Sequence, residues 1–153
     1  DHLVVWGRDG NVPLTEARSR VTTGIMMGTS FLTGDNLSNP AGNYDEARER
    51  FNTLLGNSDI VAIAKLGVPF RPISVKPGRV CADAYVLENG EETYIALFNL
   101  SGEKKTVSAD VSRYDIKDCI GRELWRNVTV QTKGGKVSFE LDPHDSAVIK
   151  LGR

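Results

Sequence analysis

Apolar residues follow two rhythms along this chain. Up to about residue 70, short continuous apolar runs alternate with stretches of helical spacing; beyond it the repeat shortens to two. Leu3-Val-Val-Trp6 is a continuous run closed by Gly7 and Asp9-Gly10, the texture of a strand buried on both faces, as in parallel sheets. After Pro13, Thr15 is placed to cap a helix with Glu16 in its first turn and Leu14, Ala17, Val21 and Ile25 on one face, ending at Gly28. Phe31-Leu-Thr33 predicts a second brief strand, and Gly34-Asp35-Asn36-Leu37 a turn suited to the carboxyl end of a barrel strand. Asn43 and Glu46 have capping-box spacing for a second helix, with Ala47, Phe51, Leu54 and Leu55 as its buried stripe and Gly56-Asn57 as its end. Ser58 restarts a short helix through Ile60, Val61 and Ile63 to Gly67.

Past the stretch from Pro69 to Pro77 the pattern is that of antiparallel strands. Val80 to Leu87 and Thr93 to Leu97 flank Glu88-Asn89-Gly90-Glu91, and Asn-Gly between β-forming runs is a strong hairpin signal. Lys105 to Val111, Glu123 to Trp125, Val128 to Thr132, Lys136 to Leu141 and Ala147 to Leu151 add further strands, with Gly134-Gly135 as a second tight turn. Val137, Phe139 and Leu141 alternate with Lys136, Ser138 and Glu140, so one face is expected in a core and the other in water. The expected organisation is residues 1–72 as two β/α units and 73–153 as an antiparallel β-sandwich. Two β/α units cannot close a sheet, and a complete (β/α)8 barrel takes about 250 residues, so the first part reads as the last quarter of one.

Composition narrows the partners. With 19 basic and 20 acidic side chains the net charge is −1, which supplies no field for nucleic acid or an anionic membrane. No apolar run approaches the roughly 20 residues of a membrane helix. The chain opens on Asp1 without a Met or a signal-like apolar stretch and is expected to be processed, trimmed or fragmentary. Cys81 and Cys119 lack C-x-x-C spacing and are expected as buried reduced thiols.

Met26-Met-Gly-Thr-Ser-Phe-Leu-Thr-Gly-Asp-Asn-Leu37, followed by Leu54-Leu-Gly-Asn-Ser-Asp-Ile-Val-Ala-Ile-Ala64, resembles the end of the barrel in α-galactosidases of glycoside hydrolase families 27 and 36. Ala96-Leu-Phe-Asn99 early and Pro143-His144 late in the β region are similar to phrases of the C-terminal β domain of those enzymes. The chain departs from family 27 at Ala64-Lys-Leu-Gly-Val-Pro69, where Asn-Gln-Asp-Pro usually follows, so the resemblance does not choose between the families or fix the sugar. Asp1-His2-Leu3 resembles the end of the Trp-Asn-Asp-Pro-Asp-Met-Leu stretch that borders the sugar pocket. By that resemblance Asp1 and His2 form the pocket rim, with His2 standing in place of a Met.

Retaining glycoside hydrolysis needs two carboxyl groups about 5 to 5.5 Å apart. In the family both lie upstream of the segment matched here, so no catalytic residue is assigned in this chain and the chain alone is expected to be inactive.

The other conspicuous residues carry plainer readings. Asp35 with Asn36 reads as a connecting turn, and His144, beside Pro143 and without a nearby nucleophile, as a loop histidine. Glu140, Asp142 and Asp145 crowd a turn but lack Ca²⁺-loop spacing, so a solvated turn is expected; His2 and His144 with two distant Cys give no zinc pattern, and no metal or cofactor is expected. Gly7, Gly10 and Gly24 make no phosphate-binding fingerprint, and Asn36, Asn99 and Asn127 open glycosylation sequons that count only in a secretory host. Trp6 and Trp125 are expected in the core.

The leading expectation is a fragment of a glycoside hydrolase acting on α-galactosides, supplying barrel closure and a structural β domain, with the missing part of the barrel as its partner and a secreted or periplasmic parent as one setting. The alternatives are a stand-alone carbohydrate-binding or interaction module, and self-association through unpaired strand edges.

Overall fold

The structure is a computed structural model that describes residues 2–7, 10–30, 32–35, 44–73, 78 and 81–152, the side chains of His2 and Tyr44 excepted. The chain divides into two compact units, Asp1–Pro69 and Phe70–Arg153.

In the first unit, strands β1 (His2–Leu3) and β2 (Leu32–Thr33) pair in parallel, His2 opposite Leu32 and Leu3 opposite Thr33. Helix α1 (Leu14–Met26) buries Ala17, Val21 and Ile25 on the expected face. It begins before Thr15, which lies within its first turn: Pro13 takes the cap position, and its carbonyl accepts the Ala17 N–H at 2.9 Å. Proline suits that place because it forgoes an N–H that a helix start would leave unused. Gly28 ends the helix at φ +65°, where a Cβ would lie 2.5 Å from the backbone of Val68 and Pro69, so both conformation and space require glycine.

Helix α2 (Tyr44–Leu55) buries Ala47 and Leu54, while the capping residue expected at Asn43 lies outside the described residues. Helix α3 (Ser58–Leu66) comes directly after it, restarting at Ser58 as expected, and Asn57 caps it: its Oδ1 accepts from Asp59 N–H at 3.1 Å and Ile60 N–H at 3.2 Å. Gly67 closes α3 in the left-handed conformation.

The second unit is antiparallel throughout. Its strands are β3 (Arg71–Pro72), β4 (Ala84–Asn89), β5 (Glu92–Phe98), β6 (Lys105–Asp110), β7 (Ile120–Glu123), β8 (Val128–Gln131), β9 (Lys136–Leu141) and β10 (Ser146–Gly152). They form a six-stranded sheet in the order β3-β4-β5-β10-β7-β8 and a two-stranded sheet β6-β9. The inner faces share one apolar cluster that includes Val86, Ile95, Leu97, Val137, Leu141 and Ile149. On β9 the expected alternation holds for Val137 and Leu141, while Phe139 is half-buried beneath Arg126.

The structure corrects three sequence expectations. The first hairpin turns at Gly90-Glu91, because β4 runs on through Asn89 to pair with Glu92. The strand expected at Glu123–Trp125 is β7, Ile120–Glu123, and Leu124–Asn127 form the turn to β8. The cause is Glu123, whose carboxylate accepts the N–H groups of Trp125 at 3.1 Å and Arg126 at 2.8 Å and so folds the chain back. Cys81 is exposed, since β4 starts only at Ala84, and Cys119 is half-buried; both are free thiols.

β7 and β10 approach closely at Gly121, where a Cβ would meet Lys150 O at 2.4 Å and Leu151 Cδ2 at 2.5 Å. Gly121→Ala is expected to cost about 2 kcal/mol of stability through overpacking, read as a lower urea midpoint. An unchanged midpoint would contradict this packing.

Candidate functional site

Polar side chains from three elements of the first unit converge on the carboxyl end of β1. The Asp35 carboxylate, just past β2, accepts three consecutive backbone N–H groups: Val5 at 2.8 Å, Trp6 at 3.0 Å and Gly7 at 3.1 Å. The Thr33 hydroxyl donates to the same carboxylate at 3.1 Å and fixes its orientation. Three amides on one ionised acceptor make charge-assisted bonds, about twice as strong as neutral ones.

The carbonyls of the segment are held from the helices. Arg20 on α1 donates to Val4 O at 2.9 Å and is itself paired with Glu16 at 2.6 Å. Arg50 on α2 donates to Val12 O at 2.5 Å and to Val5 O at 3.4 Å, and its guanidinium lies 4.5 Å from the Trp6 ring centre. Trp6 O accepts from Val12 N at 3.2 Å. Residues 4 to 7, which have left the strand ladder, therefore find their partners on side chains and on Val12. Gly7 sits at φ +83°, a conformation that L side chains rarely adopt, and a Cβ there would also displace the Asn11 side chain.

Of the residues expected at a pocket rim, Asp1 lies outside the described residues and so does the side chain of His2, whose backbone opens β1. Asn36 also lies outside them. Asp35 was expected as a local turn residue; its bonds reach some 30 positions back along the chain, a partnership without local signature. Trp6, expected in the core, is half-buried beneath Arg50, and Trp125 is half-buried as well.

A cleft of about 330 Å³ opens between β2 and the three helices, lined by apolar side chains that include Ile25, Leu32, Phe51, Leu54 and Val61. Leu32 on β2 is 64% exposed, an apolar side chain that the first unit leaves without cover.

The second unit carries a buried polar cluster missed in the sequence. Glu123 and Asp145 are fully buried, and Arg126 bridges them, at 3.2 Å from Glu123 and 2.5 Å from Asp145. Glu123 also accepts from Val148 N–H at 3.1 Å, and Asp145 from Ser146 N–H at 2.8 Å. Asp145 is thus not part of a solvated turn, as its neighbours suggested; Asp142 is exposed just past β9 and Glu140 on the solvent face of β9, each beside Lys104. Buried Asn99 donates to the carbonyls of Glu103, Leu141 and Asp142, so the amide that its sequon would offer to a glycan is spent in the fold. His144 is exposed at φ +56°, a loop position. Among the described residues no group of three or more His, Cys, Asp and Glu could hold a metal, and no helix is long and apolar enough to cross a membrane.

Residues 84–151 match the family described as the alpha galactosidase C-terminal beta sandwich domain. That match lies within the second unit and covers less than half of the chain. The likeness in fold extends beyond it: a family 27 β-L-arabinopyranosidase from Geobacillus stearothermophilus superimposes with a TM-score of 0.75 at 21% identity, over 95% of this chain and 32% of that one. α-Galactosidase I from Mortierella vinacea gives 0.72 at 14% identity, over 97% and 38%. The chain spans about a third of the length of these structures and has the fold of the C-terminal part of α-galactosidase-like glycoside hydrolases. Comparison with curated proteins returned no match.

In the sandwich of the second unit Arg126 neutralises two carboxylates that water does not reach. Arg126→Met is expected to cost about 3 kcal/mol, because it leaves buried charges without their cation. Equilibrium unfolding of both proteins at neutral pH measures the difference, and a loss under about 1 kcal/mol would show that the amides alone suffice.

Proposed function

We propose that this chain is the C-terminal part of a glycoside hydrolase acting on α-galactosides: the first unit, residues 1–69, completes a (β/α)8 barrel, and the second, residues 70–153, which takes in the β3 strand that the sequence pattern had assigned to the first part, forms its structural β domain. The observation that carries the reading is the sequence of parts. A sandwich that matches the α-galactosidase C-terminal family over residues 84–151 comes directly after a parallel strand pair with a helix after each strand. Solved glycoside hydrolases superimpose on nearly the whole chain, which supports the reading.

The first unit also has the character of an incomplete layer. Its two strands pair only with each other among the described residues, and the apolar cleft beside Leu32 stands open. The remainder of the barrel is the partner that this edge and cleft fit, and pairing between two copies of the chain is the fallback when that remainder is absent.

On this reading the nucleophile and the acid/base belong to upstream strands. Asp35, Glu123 and Asp145 spend their oxygens on backbone N–H groups and Arg126. Asp1 and His2 contribute to the pocket rim. The sandwich is structural in this account: each described aromatic side chain of the second unit is buried or half-buried, so it offers no exposed row for sugar stacking.

The purified 153-residue chain is expected to release no nitrophenol from an aryl α-galactoside above buffer. Turnover that stays with the protein through purification would overturn the placing of both carboxylates upstream.

A further inference from the structure

We propose that Asp35 is a positioning residue for the sugar pocket to which this chain contributes, acting through residues 5 to 7; the inference rests on the glycosidase reading above. The ladder between β1 and β2 is only two residues long and cannot by itself fix the path of the chain after β1. Beyond Leu3 the direction of the chain is set by the Asp35 carboxylate on its N–H groups and by Arg20 and Arg50 on its carbonyls. Gly34 N–H donates to Leu3 O at 2.7 Å, so β2 grips the strand end and Asp35 the residues after it.

Loops at the carboxyl ends of parallel barrel strands carry the binding groups of such folds. A loop held from both its donor and its acceptor side, by groups on a strand and two helices, is a pre-organised support. The left-handed Gly7 turns its N–H back onto the same carboxylate oxygen that Trp6 uses, which makes the grip specific to this backbone path. Asp35 touches no reacting atom in this assignment. It sets where β1, and with it the rim residue His2, stands relative to the sugar.

Asparagine at position 35 would keep the size of the side chain but present an NH2 to one of the amides, donor against donor. In an active polypeptide that carries this chain with its upstream barrel, Asp35→Asn is expected to lower kcat/KM for an aryl α-galactoside roughly tenfold or more, since small misplacements are costly. Most of the loss is expected in KM, at an unchanged titre of active sites, and amide exchange at Val5, Trp6 and Gly7 is expected to quicken. Thr33→Val, which removes only the hydroxyl that orients the carboxylate, is expected to raise KM about fivefold, the worth of one hydrogen bond; it serves if the asparagine variant does not fold.

A purely structural role would show instead as fewer active sites at unchanged KM, and that result would overturn the assignment. If the unmutated polypeptide hydrolyses no α-galactoside, the glycosidase reading falls and takes the assignment with it. If it is active and both variants keep its KM, only the positioning role falls.

Discussion

A strand pair two residues long leaves more backbone polar groups unpaired than it pairs, and the first unit is organised around meeting that deficit. Residues 4 to 7 have left the ladder, yet their amides and carbonyls need partners wherever water is excluded. Asp35, Arg20 and Arg50 supply them, from the end of β2, from α1 and from α2. The positions of the two helices are therefore tied to the strand end by charge-assisted bonds as well as by the apolar stripes of Val21, Ile25 and Leu54. Trp6, stacked against Arg50, adds a cation–π contact to the same support.

The second unit meets the same requirement by ladder and buried charge. Its last strand, β10, runs between β5 and β7, and Ala147 to Ile149 and Leu151 are fully buried. The sheet cannot be completed until the end of the chain is in place, so the unit depends on contacts far apart in sequence. Glu123 links β7 to β10 by accepting from Val148 N–H, and Arg126 joins it to Asp145 at the start of β10. Asn99 performs a similar service between the end of β5 and the end of β9.

The elements with strong local signals were legible in the sequence. The α1 stripe, the Gly67 end of α3 and the inward Val137 and Leu141 of β9 follow from periodicity and glycine chemistry alone. The features that escaped reading depend on distant partners. Glu123, Arg126 and Asp145 look like surface residues until β7 and β10 are set side by side, and the Glu123 carboxylate then ends β7 where β-propensity alone would have continued it through Trp125. Asp35 shows the same limit: a Gly-Asp-Asn turn signal is real, but the amides it serves lie just past β1, some 30 positions back along the chain. Thr15 lost its expected capping role to Pro13, two positions upstream, the usual scale on which helix starts move, whereas α3 restarts at Ser58 as expected.

The central claim is that these two units are the end of a larger barrel glycosidase. The most direct measurement is the intact mass and N-terminal sequence of the native polypeptide, taken beside its activity on α-galactosides. The account predicts a polypeptide with about 200 further residues upstream, as barrel completion requires, that hydrolyses α-galactosides. A native polypeptide that begins at Asp1, or a longer one without glycosidase activity, would contradict it.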